Sequence, residues 1–246
     1  MLYYMLSVFS FVTLGLSTSG QFTPPLITCK RDSDNYSACL KHAIQEAWPR
    51  FNKGIPEISF PPLDPLVFKY GKIIVNSGEI HAEVGFTNLT YIGLSEAHFS
   101  DVRTHFLDND FRLEVNTDTP KLQIKGFSKQ RWVLYIIYVI IYVIGPFIIS
   151  LDDVVGTWDL IGDVVNDTWI VKNFTYPPSP RKFRLNADNL IEGNKVLNDL
   201  ILGFVNEFWP PLYRTMLPAM IKMWNPWLVD IANNFFSKVS FSQLFP

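Results

Sequence analysis

The residues that could carry reaction or ligation chemistry are few and scattered. Cys29 and Cys39 could form a disulfide or bind a metal as thiolates. His42, His81, His98 and His105 could serve as bases or ligands. Asp32 with Asp34, and Asp152 with Asp153, could supply carboxylates for acid–base work. The spacings that such chemistry requires are missing: there is no G-x-S-x-G, H-E-x-x-H, G-x-G-x-x-G or P-loop. Two cysteines without a nearby histidine pair give too few ligands for zinc. The sequence therefore predicts no enzyme, no metal site and no cofactor. His42 is read as a polar-face residue of a helix and the other three as polar-face residues of strands. The aspartates are read as loop and cap carboxylates.

The elements that surround these residues explain them better. MLYYMLSVFSFVTLGLSTSG has an apolar run through Leu16 followed by small residues, the pattern of a cleaved signal peptide over 1–20 with a mature chain starting near Gln21. Its only n-region charge is the α-amino group. The alternative is an N-terminal anchor helix. An exported chain predicts a Cys29–Cys39 disulfide, because an even, closely spaced pair oxidises in that compartment. Four N-glycosylation acceptors, Asn35, Asn88, Asn166 and Asn173, agree with a secreted, extracellular protein. A net charge of −2 and the absence of a basic run exclude nucleic acid as an expected partner.

Hydrophobic periodicity divides the rest of the chain. Leu40, Ala43, Ile44, Ala47, Trp48 and Phe51 recur at helical spacing, with Asp34 or Ser37 as the expected cap. GIPEISFPPLDPL is too rich in proline for a regular element. From about Lys72 to Lys125 the period becomes two, and strands resume around VVGTWDLIG, TWIVKNF and RKFRL. From Asp188 the helical period returns, with Pro210, Pro211, Pro218 and Pro226 expected to kink or divide it. The predicted class is α+β: a helix, a long antiparallel sheet, then a long helix that the sheet can wrap, in one domain over 21–246. The apolar strand faces Val84, Phe86, Phe111, Leu113, Val115, Leu122 and Ile124, with Leu200, Ile201, Phe204 and Phe208 of the helix, are the predicted lining of a cavity for a small hydrophobic ligand.

CKRDSDNYSACL, KGIPEISFPPLDPL, TNLTYIGLSEAHFSDV, SLDDVVGTWDL, DNLIEGNKVLNDLILGFVNEFW and the closing DIANNFFSKVSFSQLFP occur in an order that resembles the insect takeout and haemolymph juvenile-hormone-binding protein family. The resemblance spans nearly the whole mature chain. It implies a tubular lipid-binding fold, with a long helix lying in a highly curved antiparallel sheet. It also implies an extracellular carrier of a terpenoid hormone, fatty acid or similar lipid, without enzymatic activity. The chain departs from the family where residues 130–144 replace a Gly-containing hairpin, and where WPPLYRTMLPAMIKMWNPW replaces a more regular, charge-bearing helix.

Residues 132–149 contain no charge, and eighteen residues of helix would span about 27 Å, close to a bilayer core. Sequons on both sides, flanking charges opposed to the positive-inside tendency, and a Val- and Ile-rich composition argue against stable membrane insertion. The stretch is expected to be a strand pair of diverged sequence or an intron read into the gene model; a membrane anchor is the third reading. Two other functions stay open beside the carrier: an interaction or signalling protein with a filled tunnel, and a membrane-anchored relative.

Overall fold

The computed structural model describes residues 27–77, 80–107, 110–128, 131–135, 141–142, 145–188, 190 and 193–246. The signal-peptide reading of residues 1–20 and the start near Gln21 lie outside them. Helix α1 (Tyr36–Lys53) precedes strands β1 (Leu66–Ser77), β2 (Ile80–Ile92), β3 (His98–Phe106), β4 (Asp110–Ser128), β5 (Arg131–Tyr135), β6 (Ile141–Tyr142), β7 (Gly145–Val165), β8 (Thr168–Thr175) and β9 (Ser179–Ala187). Helices α2 (Lys195–Glu207), α3 (Trp209–Phe236) and the short α4 (Phe241–Leu244) follow.

All described pairings belong to antiparallel ladders. The sheet is built on β4 and β7, which pair from Asp110↔Asp163 to Ser128↔Gly145. Each of these long strands offers its other edge to two shorter strands laid end to end. β3 and β2 share the free side of β4, and β8 and β9 share that of β7. β1 extends the sheet beyond β2. The result is a curled half-barrel against whose inner face α3 packs along β8 and β1.

The long hairpin changes which positions it buries halfway along. Phe111, Leu113, Val115, Thr117 and Thr119 point inward on β4, and beyond Pro120 the inward position moves to Leu122. On β7 the matching change falls between Val154 and Leu151, across Asp153 with its φ of 51°. Pro120 has no N–H to give the ladder, and the left-handed backbone opposite it re-aims the strand. Asp152 and Asp153 thus sit inside β7, not in a loop as the sequence suggested, because the irregularity lies within the strand.

Edge strands leave unpaired backbone groups, and in this fold the helices satisfy them. On β9, Asn206 Oδ1 accepts from Leu185 N (2.7 Å) while its Nδ2 donates to Leu185 O (2.9 Å). The neighbouring Asn198 accepts from Leu190 N (2.7 Å) and donates to Ala187 O (3.3 Å). On β8, Asn233 exchanges both bonds with Val171 at 2.9 Å, and Asn225 donates to Phe174 O at 3.3 Å. In α1, Gln45 Oε1 accepts from Phe99 N of β3 (3.2 Å) and Trp48 Nε1 donates to Leu94 O (2.8 Å). Eight residues of helix advance about 12 Å and three of strand about 10 Å, so an Asn at i and i+8 can follow a strand edge.

The helix boundaries differ in part from the expectation. α1 is N-capped by Asn35, without a side-chain capping bond, rather than by Asp34 or Ser37. Cys39 N already bonds to Asn35 O (2.8 Å), and the Cys29–Cys39 disulfide, with Cα atoms 5.8 Å apart, fixes the entry. Asn194 caps α2 by accepting from Leu197 N (2.9 Å). Pro210 and Pro211 open α3 and separate it from α2, whereas Pro218 and Pro226 remain inside α3. The apolar stretch is strand where it is described: β5 pairs with β2 (Glu83↔Val133) and with β6 (Trp132↔Ile141), and residues 145–149 begin β7. Residues 136–140 and 143–144 lie outside the described residues. Among the described residues, no helix is long and apolar enough to cross a membrane.

Two outcomes follow from these contacts. Asn233→Ala and Asn198→Ala should each lower stability in urea unfolding by about 1–3 kcal/mol, because each strands backbone groups beneath a helix; an unchanged midpoint would show that water replaces the amide. Thiol labelling of the unreduced protein should find no reactive cysteine, since Cys29 and Cys39 are bonded. Reduction should cost about 2–3 kcal/mol for so short a loop.

Candidate functional site

The inner face of the half-barrel has two unlike ends. At one end the packing is complete. Phe111 is fully buried, with ring centroids 4.8 Å from Trp169, 5.0 Å from Phe241 and 4.6 Å from Phe245. Leu113 and Val115 belong to the same cluster, which α1 closes through Trp48 and Phe51. The C-terminus is its stopper. Arg31 Nε donates to Phe245 O (2.7 Å), its guanidinium lies 4.2 Å from the Phe106 ring, and Arg31 N donates to Pro246 O (3.1 Å). Asp167 accepts from Ser242 N (2.7 Å) and from the Ser240 hydroxyl. The Ser240 bond is the main cause holding the Asp167 carboxyl below its usual range.

At the other end the inward side chains are less completely buried. Phe68, Leu89, Phe147 and Ala187 are buried there. Around them Ile124, Ile149, Leu185, Ile201, Leu202 and Met223 remain half-buried. Ile124 lies opposite Ile149, and Ile149 opposite Leu185, so one row crosses three strands toward α2. Trp227 of α3 stands over this row, 4.8 Å from Phe68 and 6.0 Å from Tyr91. An apolar face whose members pack together yet keep accessible area can hold an apolar molecule.

The predicted lining is therefore divided. Phe86, Ile124 and Ile201 meet in the half-buried row, and Leu122 packs beside it with Leu151 and Val154. Phe111, Leu113 and Val115 lie in the filled end. Leu200 and Phe204 stand on the opposite side of α2 and Phe208 lies just past its end, exposed by 66, 54 and 51%. Val84 pairs with Ile73 in the β1–β2 ladder, and its side chain is outside the described part. Sequence reading missed Tyr91, Ile149, Leu185, Leu202 and Met223. The alternation at 147, 149 and 151 was a usable signal for Ile149; Tyr91 and Met223 gave none.

Nothing in the charged residues competes with this face. Arg112 clasps Asp159 with two bonds of 2.7 and 2.9 Å, and Glu114 takes up His105 (2.9 Å). The His105 bond holds the Glu114 carboxyl low. These are cross-strand pairs on the outer surface of the sheet. A surface pocket of about 450 Å³ between α1 and the proline-rich connector is lined by Pro49, Asn52, Lys53, Pro62, Asp64 and Ser95. Its carboxylate, Asp64, accepts from Gly93 N (3.2 Å) and Ser95 N (2.9 Å), which is connector structure. Among the described residues, no three His, Cys, Asp or Glu side chains are grouped to hold a metal.

A model of the haemolymph juvenile hormone binding protein family matches residues 7–246. The crystal structure of Epiphyas postvittana Takeout 1 superposes with a TM-score of 0.68 at 20% identity, covering 89% of this chain and 99% of that one. No curated protein matches the chain significantly.

The stopper has a measurable acid limit. Asp167 has a lowered folded-state pKa, so its clamp is complete above the ordinary carboxylate range and is lost as pH falls through the lower folded value. Asp167→Asn should be less stable than wild type at pH 6, and the gap should close as pH falls below the ordinary carboxylate range. Phe245→Ala should cost about 3–5 kcal/mol at any pH, as a cavity in a filled cluster does.

Proposed function

The chain belongs to the haemolymph juvenile hormone binding protein family, and from that premise we propose that it is a secreted, extracellular carrier that holds one small hydrophobic molecule against the half-buried inner row. The chemical class is a terpenoid hormone, fatty acid or similar lipid. The observation that carries the reading is the contrast between the two ends. A protein that needed only a core would fill both; here Ile124, Ile149, Leu185 and Ile201 stay half-buried while Phe111 and Val115 are sealed.

Such a site works without catalysis. Burial supplies affinity at roughly 25 cal/mol per Å² of apolar area removed from water. A ligand that covers the row would thus be held mainly by area and shape, with few polar contacts. The filled-tunnel reading has its own support in the sealed end, and it makes the opposite claim about bound lipid. Export is supported by the disulfide and by sequons at exposed positions.

Lipid extraction and mass spectrometry of the purified, secreted protein should recover a bound apolar molecule or show uptake of an added one. A protein that takes up none would support the filled-tunnel reading instead. Ile201→Asp should abolish uptake of an apolar fluorophore at unchanged fold, whereas Phe204→Asp, on the exposed side of α2, should reduce it by less than threefold. Loss in Phe204→Asp alone would place the ligand outside the half-barrel. Glycan mapping should find Asn35, Asn88 and Asn166 occupied and Asn173 bare. Asn173 already donates to Thr175 Oγ1 (2.9 Å) and accepts from Asn225 (2.6 Å) beneath α3.

A further inference from the structure

The side of α2 turned away from the half-barrel carries two neighbouring ridges at four-residue spacing. One is apolar: Val196, Leu200 and Phe204, continued by Phe208 just past the helix end, exposed by 82, 66, 54 and 51%. The ridge beside it is polar: Lys195, Asp199, Gly203 and Glu207, all exposed. Rows of this spacing are the ones that interdigitate when two helices pack. Phe204 and Phe208 touch each other, with ring centroids 5.1 Å apart, and no described element covers the rest of the apolar ridge.

Both ridges are self-complementary. When a second α2 lies antiparallel across the first, with the two-fold axis at the helix midpoint, Leu200 meets the partner's Phe204 and Val196 meets the partner's Phe208. The same operation brings Lys195 to the partner's Glu207 and Asp199 to the partner's Gly203. Two features of the single chain are answered by this arrangement. Lys195 is the first residue of α2, at the positive end of its dipole, and the first turn has no acidic residue. Among the described residues neither Lys195 nor Glu207 makes an ion pair. Gly203 is the other feature: no described heavy atom lies within 4 Å of the place where its Cβ would stand. Glycine is the poorest helix former after proline, and nothing within the described chain crowds this position. Beneath a second helix, its missing side chain would let the two backbones approach.

We propose that this side of α2 is a contact between two copies of the chain, an antiparallel pairing of the apolar ridges bordered by two Lys195–Glu207 ion pairs. The contact is isologous, so each interaction is made twice. Large side chains of this kind present about 150–250 Å² each when fully exposed, so the four exposures leave on the order of 1,000 Å² to be buried across the pair, which is the small end of specific interfaces. An anionic lipid surface fits the ridge less well, because Asp199 and Glu207 border it and would face the phosphates. The proposal does not rest on the carrier reading. The two meet in α2, whose inward residues Ile201 and Leu202 touch the half-buried row, so pairing would brace that helix from outside.

Sedimentation velocity of the full secreted protein from about 1 to 200 μM should show monomer giving way to dimer, since so small a contact associates weakly. Leu200→Asp, at an exposed position, should leave the melting curve of dilute protein unchanged and raise the dissociation constant by about tenfold or more. At low salt, Lys195→Glu and Glu207→Lys should each weaken the dimer, and the double variant Lys195→Glu/Glu207→Lys should restore it. A wild type that stays monomeric throughout overturns the proposal. A dimer that survives Leu200→Asp overturns its placement on α2, and a double variant no tighter than the single ones overturns the antiparallel register. A monomeric wild type that floats with phosphatidylcholine–phosphatidylserine vesicles, and loses that in Leu200→Asp, would give the ridge to a lipid surface and overturn the pairing.

Discussion

The interaction on which this structure depends is the pairing of sheet edges with side-chain amides. A curled sheet that does not close into a barrel has unpaired backbone along every border, and covering those borders with helices would bury the unpaired groups. Asn198, Asn206, Asn225 and Asn233 resolve the conflict, because each amide presents one donor and one acceptor, as a strand residue does. Gln45 and Trp48 do part of the same work for β3 and its approach. These bonds fix how far along each edge the helices sit. They also set the helix orientation, since residues later in the helix meet residues earlier in the strand. Close packing follows from that register: on β1, a Cβ at Gly71 would lie 2.3 Å from Phe68 Cε1 and 2.6 Å from Met223 Sδ, so these two side chains take the space a strand side chain would occupy.

With its edges fixed, the half-barrel can be filled unevenly. The aromatic stopper of Phe111, Trp169, Phe241 and Phe245 makes one end rigid. The switch at Pro120 and Asp153 then turns the hairpin so that its second half faces α2 and the middle of α3. The fold therefore separates stability from function along one pair of strands. Residues of the first half bury their area against the chain itself, and residues of the second half keep area available. This also accounts for the lack of chemistry-bearing residues: binding by area asks only for apolar surface that the fold does not consume.

Much of this was legible in the sequence, for physical reasons that can be named. The alternation of Phe111, Leu113 and Val115, and its return with opposite parity at Leu122 and Ile124, is the pleat written directly, with Pro120 marking the change. The Cys29–Cys39 pair needed only its spacing and an oxidising compartment. The division of the lining into a filled and a half-filled end was not legible, because alternation reports which face a residue takes and not what stands opposite it. The α2 stripe failed in the same way. Val196, Leu200, Phe204 and Phe208 follow helical spacing as well as Ile201 and Leu202 do, yet the helix is rotated by its asparagines, which claim the β9 edge. Polar residues, not apolar ones, decided which side of α2 faces inward, and period counting gave them no weight.

That rotation has an energetic consequence for the site. α3 is held on both sides, by Asn225 and Asn233 on β8 and by contact with β1. α2 is held by its two asparagines on β9, and its inward apolar contact with the second cluster rests on Ile201 and Leu202. Its opposite side, with Val196 82% and Leu200 66% exposed, gains little from folding. Of the elements around the half-filled end, α2 is thus the one whose position owes least to apolar burial. A molecule lying against Ile201 and Leu202 would add apolar contact where the chain supplies little, and a ligand that binds only the folded state stabilises it by mass action. Occupancy of the inner row should therefore be felt most strongly at α2 and least at the stopper, where Phe111 and Trp169 are already sealed.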